Sequence, residues 1–253
     1  MRCCKLRATR MRTTNPALND NTFAGLRASG KVMTINGTIT RTLILLVLLV
    51  ASAIFTWNKF QGAERDAALA WAMGGGIAGF IFAIVTIFKK DWAPVTAPIY
   101  AVCEGLLLGA ISAVFAARFQ GIVLDAVMLT AGTLFSLLMA YRSGLIKATE
   151  NFKLGVFAAT AAIGLVYLVG WIMSFFGASI PYIHECGWVG IAFSGFVVVI
   201  AALNLVLDFD FIEQGEALAA PKYMEWYAAF GLMVTLVWLY LEILRLLSKL
   251  RSR

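Results

Sequence analysis

Charged side chains make up only 14% of this 253-residue chain, too few to give a domain of that size a surface that water would disperse. A soluble globular class is excluded, and lipid is the main solvent. Histidine occurs once, as His184, with no Ser or Cys partner in a recognisable nucleophile pattern. No phosphate-binding glycine loop and no zinc-protease helix is present either, so no enzyme is expected. The four cysteines, Cys3, Cys4, Cys103 and Cys186, lack metal-ligand spacing, which leaves no zinc site, no disulfide framework and no cofactor to expect. Cys103 and Cys186 fall in or beside apolar runs and pack as small apolar residues. Cys3 and Cys4 lie among basic residues and read either as free thiols or as acylation sites. Strand-type alternation of apolar and polar residues is missing, which excludes a barrel.

What the chain has is apolar length. Apolar residues reach 61%, and the mean hydropathy is +0.84. Ala67 to Phe88, Leu154 to Ile183 and Cys186 to Leu207 carry no charge, and each reaches the roughly 20 residues that cross about 30 Å of hydrocarbon. Four shorter or interrupted runs complete a set of seven: Thr42 to Asn58, Trp92 to Ala117 broken by Glu104, Ala126 to Tyr141 preceded by Asp125, and Trp226 to Leu241 followed by Glu242. Backbone amides in hydrocarbon must be paired within their own segment, so these runs are helices. The expected organisation is a polar, basic tail over 1–41, a membrane domain over 42–248 with spans near 42–58, 67–88, 93–117, 122–141, 154–177, 186–208 and 223–247, and a basic end at 249–253. Gly75-x-x-x-Gly79 and Gly105-x-x-x-Gly109 have the spacing of helix-packing seams, where a missing side chain lets two backbones approach.

The net charge of +7 is concentrated at the start. Arg2, Lys5, Arg7, Arg10, Arg12, Arg27, Lys31 and Arg41 precede the first apolar run. By the positive-inside rule this places the N-terminus in the cytoplasm, with the protein multi-pass in a cell membrane. Beside a membrane such cations face anionic lipid headgroups, and no nucleic-acid partner is expected. Arg245, Lys249, Arg251 and Arg253 run against the rule if all seven segments cross. Either the last segment stops short or the basic N-terminus dominates.

Carboxylates inside a membrane bundle are expensive, and by default they mark a pathway or a partner. Glu104 sits mid-span in Tyr100-Ala-Val-Cys-Glu-Gly-Leu-Leu-Leu-Gly109, as a neutral acid bonded to another helix or as a functional group. Asp208, Asp210, Glu213 and Glu216 end the sixth run. Asp208 and Asp210 point about 200° apart on a helix and cannot share a face, whereas Asp210 and Glu213 can. A close buried pair would share a proton near neutral pH or bind a cation in its place, which makes a gate or sensor; the other reading is a solvated loop. Glu225, in Lys222-Tyr-Met-Glu-Trp-Tyr227, suits an interfacial anchor. Glu242 and Arg245 have the spacing of a pair on one helix face. Asp125 looks like a helix start, and His184 and Glu185 lie in a short loop.

Leu205-Val-Leu-Asp-Phe-Asp-Phe-Ile-Glu-Gln-Gly215, Ala220-Pro-Lys-Tyr-Met-Glu-Trp-Tyr-Ala-Ala-Phe-Gly231 and Leu239-Tyr-Leu-Glu-Ile-Leu-Arg245 resemble the Bax inhibitor/YccA-like family. Glu104-Gly-Leu-Leu-Leu-Gly109-Ala-Ile-Ser112 is similar to its Glu-Gly motif, and Asn15-Pro16 with Met33-Thr-Ile-Asn-Gly37 to the N-terminal stretch of a bacterial branch. The resemblance implies an all-α integral membrane protein, a seven-helix transmembrane bundle with the last helix central, acting as a calcium leak regulated by protons. Calcium is then the permeant ion. The resemblance further implies a proton-sensitive pair of aspartates, one on the sixth helix and one on the seventh. Asp208 matches the first; counting back from Arg245, Val234 or Thr235 stands where the second is expected. Asp210, Glu104 or Glu225 would then supply the missing carboxylate, and Asp208, Asp210, Glu104, Glu213 and Glu225 form the expected ion-pathway and pH-sensing set. The alternative is a membrane regulator that binds a membrane protease or stress factor through its N-terminal tail, without conduction.

Overall fold

The computed structural model describes residues 31–62, 65–175 and 187–252. Seven helices account for nearly all of them: α1 (Ile35–Gln61), α2 (Arg65–Phe88), α3 (Ala93–Arg118), α4 (Ile122–Arg142), α5 (Glu150–Phe175), α6 (Trp188–Ala217) and α7 (Met224–Arg251), with a short 3-10 turn at Lys90–Trp92. All seven are long and apolar enough to cross a membrane. The seven apolar runs of the sequence thus become a seven-helix all-α bundle. Cys3, Cys4, His184, Glu185 and Cys186 lie outside the described residues.

The helix with the lowest mean hydropathy is the most buried. In α7, 61% of the most apolar stretch is inside the bundle, against 11% for α4 and for α5. A helix surrounded by protein does not have to be soluble in lipid, and α7 is surrounded: it packs on α1, α3, α4 and α6. From Met224 to Met233 only Trp226 escapes full burial, and Ala228, Ala229 and Gly231 supply the small surfaces that a central helix needs. The main core joins Leu205 and Phe209 of α6, Ala126 of α4 and Tyr227, Leu232 and Leu239 of α7. A second cluster joins Leu45 and Leu49 of α1, Tyr100 and Leu108 of α3 and Phe230 and Met233 of α7.

Both glycine spacings are packing seams. A Cβ on Gly105 would lie 2.0 Å from Ser52 Oγ and 2.2 Å from the Leu49 carbonyl, and one on Gly109 would lie 2.2 Å from the Ala53 carbonyl. A Cβ on Gly75 would lie 2.6 Å from the Cys103 carbonyl, where α2 meets α3. The α1–α3 and α2–α3 contacts therefore run backbone against backbone.

The polar residues that end α7 are absorbed within the bundle. Lys249 donates to the Gly190 carbonyl at 3.0 Å and to Ser194 Oγ at 2.8 Å. Arg251 donates to the Gln120 carbonyl at 2.6 Å and pairs with Asp125. Arg245 holds Glu242 at 3.0 Å, and Tyr167 of α5 bonds both. These cations therefore have local partners on α4, α5 and α6, in the turn between α3 and α4, or within α7.

Candidate functional site

The carboxylates at the acidic end of α6 each face a different helix. Asp208 faces α7 and is only 3% exposed. The Thr235 hydroxyl stands within hydrogen-bonding reach of it, while Asp208 Oδ2 has no hydrogen-bond partner. Thr235 is itself buried and donates to the Gly231 carbonyl at 3.3 Å, whereas Val234 is turned outward. Asp210 faces α5: Lys153 Nζ lies 2.8 Å away, and Gln214 donates to the same carboxylate. Lys153 is itself buried and also reaches Glu150 at 3.4 Å. Glu213 accepts from the Tyr141 hydroxyl of α4. The helical twist therefore separates Asp208 from Asp210, as 100° per residue requires.

Glu104 belongs to a different part of the bundle. It is half-buried on α3, bonds Tyr100 and lies against Gly79 of α2. Tyr100 in turn packs edge-on against Phe230 of α7, with ring centroids 5.0 Å apart. Glu104 and Asp208 thus stand on opposite flanks of α7.

Glu225 is the most heavily bonded of the set and is fully buried. Its Oε1 accepts from Lys222 Nζ at 2.7 Å, from Thr34 Oγ1 at 2.9 Å and from the Thr34 amide at 3.0 Å. Arg41 stands 3.5 Å from Oε2 and lies over the Trp226 ring. Thr34 Oγ1 also accepts from the Gly37 amide, capping α1, and Glu216 accepts from the Ile35 amide at 3.0 Å. Two carboxylates thus sit at the helix N-terminus, where free amides and the helix dipole favour negative charge. The segment before the cap is paired too: Met33 donates to the Ala220 carbonyl at 2.7 Å, and Val32 bridges Pro221. A Cβ on Gly37 would fall 1.8 Å from Glu225 Oε1, so only glycine leaves the carboxylate its place. This clasp lets α1 start at Ile35, inside the polar stretch that precedes Thr42. It is joined by Tyr223, which bonds Asp91; burial and that carboxylate push the phenol up to about 12.

These contacts bring together the segments whose sequences carry the resemblance. Met33–Gly37 meets the Ala220–Trp226 block at the clasp, and the Leu205–Gly215 block meets Thr235 at the seam. A family model described as Bax inhibitor 1 like matches residues 12–252. The chain belongs to that family. No curated protein and no solved structure matches it.

The residue facing Asp208 across the seam is Thr235, while Asp210 and Glu225 are held by cations elsewhere and Glu104 lies against α2. Among the described residues, no group of three or more His, Cys, Asp or Glu side chains could hold a metal ion. Sequence reasoning missed Lys153, Thr34 and Arg41 as partners of the acids. Thr34 directly before Ile35 was the available signal, since a threonine ahead of the first apolar residue of a periodic run marks a helix N-cap.

Proposed function

We propose that the protein is a proton-sensitive leak for cations, calcium foremost, in a cell membrane with its N-terminus in the cytoplasm, and that it is a conduit, not an enzyme. The observation that carries this reading is Asp208: a buried carboxyl at the central seam of a membrane bundle, with one oxygen unbonded. Such a group is costly to keep and is retained where a charge or proton must be handled. Membership of the Bax inhibitor 1 like family supports it. On this reading Asp208 alone senses protons at the seam, with Thr235 as its hydrogen-bonding neighbour and Asp210 fixed by Lys153. The test is calcium flux into proteoliposomes at stepped pH on either side of neutrality, beside Asp208→Asn. A pH-dependent flux altered by the substitution is expected. Flux equal to that of empty liposomes would sink the leak, and an unchanged variant would remove Asp208 from it.

The clasp favours a second reading, a regulator whose N-terminal tail binds a membrane protease or stress factor. The tail joins the bundle at Val32–Thr34, directly on the start of α7. Deleting residues 1–30 leaves the clasp whole, so a leak keeps its flux while a tail-borne interaction is lost.

A further inference from the structure

A cleft of about 930 Å³ opens between α1 and α4, at the end of the bundle where α1 begins. Its floor is Phe209 and Ile212 of α6 and Leu232 of α7. The volume is that of a site for a sizeable small molecule. Three features define what fits it.

The first is depth. On α1 the lining runs from Ile35 to Leu46, about 17 Å at 1.5 Å per residue, which is about half of the roughly 30 Å hydrocarbon thickness. The cleft is one leaflet deep. The second is its open side. Leu43 and Leu138 line it from the two helices and are themselves exposed, at 58% and 37%, so it faces hydrocarbon laterally and its walls are apolar.

The third is charge at the mouth. Arg142 and Lys147 lie there, exposed, with no ion-pair partner among the described residues. The carboxylates that share the lining are already engaged: Asp210 by Lys153, Glu213 by Tyr141 and Glu216 by the Ile35 amide. Of the charged groups in the lining, the two with neither an ion pair nor a hydrogen bond among the described residues are both cations.

We propose that this cleft is a binding site for one phospholipid with an anionic headgroup, its phosphate held by Arg142 and Lys147 and an acyl chain lying between Leu43 and Leu138. The site does not depend on the leak reading, since it uses neither Asp208 nor conduction.

Native mass spectrometry of the full chain in detergent, exchanged against phosphatidylglycerol or phosphatidylcholine, tests it. The wild type is expected to retain one phosphatidylglycerol with a preference on the order of tenfold or more, as two interfacial cations supply. Arg142→Gln with Lys147→Gln, both at exposed positions, is expected to bring that preference close to unity. Leu138→Trp, which fills the cleft, is expected to retain neither lipid, and Lys89→Gln, an exposed cation at the same end but outside the cleft, is expected to behave as wild type. Equal retention of the two lipids by the wild type, or a preference that survives the double substitution, would overturn the site. So would a preference lost equally in Lys89→Gln, which would reduce it to diffuse surface charge. Displacement of the lipid by inorganic phosphate alone would assign the cations to a free anion and overturn the lipid.

Discussion

Asp208 of α6 and Thr235 of α7 face one another across the central seam, a carboxyl against a hydroxyl where the family resemblance calls for two carboxylates. A single carboxyl releases its proton in one step, whereas two acids at close range release theirs in two separated steps, because the first charge opposes the second. Thr235→Asp is expected to split that step and to spread the pH dependence of calcium flux over a wider range. Flux in proteoliposomes at stepped pH checks this, and a profile identical to wild type would argue that the seam does not gate.

Gly37 and Glu225 should behave as one unit in stability. Gly37→Ala pushes a methyl group into the carboxylate, and the carboxylate can move only by giving up its bonds to Thr34 and Lys222. Hydrogen bonds to a charged group are each worth about 1.5 to 3 kcal/mol, so a loss of at least that size is expected. In a Glu225→Ala background the same alanine should cost almost nothing. Denaturation of the four proteins in mild detergent closes the cycle, and additive losses would show that the two residues are independent.

Lys153 supports Asp210 from α5, with both side chains largely buried. Removing one member of such a pair leaves the other charge uncompensated, at about 3 kcal/mol or more. Lys153→Met is expected to lower the thermal midpoint clearly, and Lys153→Met with Asp210→Leu to recover most of the loss. A double variant no more stable than the single one would mean that the pair is not what holds α5 to α6.

Glycines of the same composition should differ by position. Gly105→Ala meets Ser52 and the Leu49 backbone, so loss of folded protein is expected on gel filtration. Gly132 has nothing within 4 Å of its would-be Cβ, and Gly132→Ala is expected to be neutral or to gain up to about 1 kcal/mol from helix propensity.

The number of spans was legible because hydrocarbon demands long apolar runs, and the sequence has them. The opposed facing of Asp208 and Asp210 was legible too, since it follows from helical twist alone. The start of α1 was not. Asn36-Gly37 reads locally as a turn, and what makes it helical is a cap completed by Glu225 and Glu216, which lie 191 and 181 residues away in sequence. For the same reason Glu225 reads as an interfacial anchor when viewed with its neighbours, while its partners on α1 stay hidden. Lys153 reads as one more loop cation until α5 and α6 are placed side by side. The central position of α7 came from the family resemblance; its modest hydropathy, seen alone, suggests a weaker span and not an enclosed one.

The pairing of Val32 with Pro221 and of Met33 with Ala220 has a mechanical meaning. A pull on the chain ahead of Val32 is not borne by α1 alone, which lies at the rim of the bundle. Through Thr34 and Glu225 it reaches the root of the innermost helix, so the polar leader is harnessed to the axle of the bundle and not to its rim.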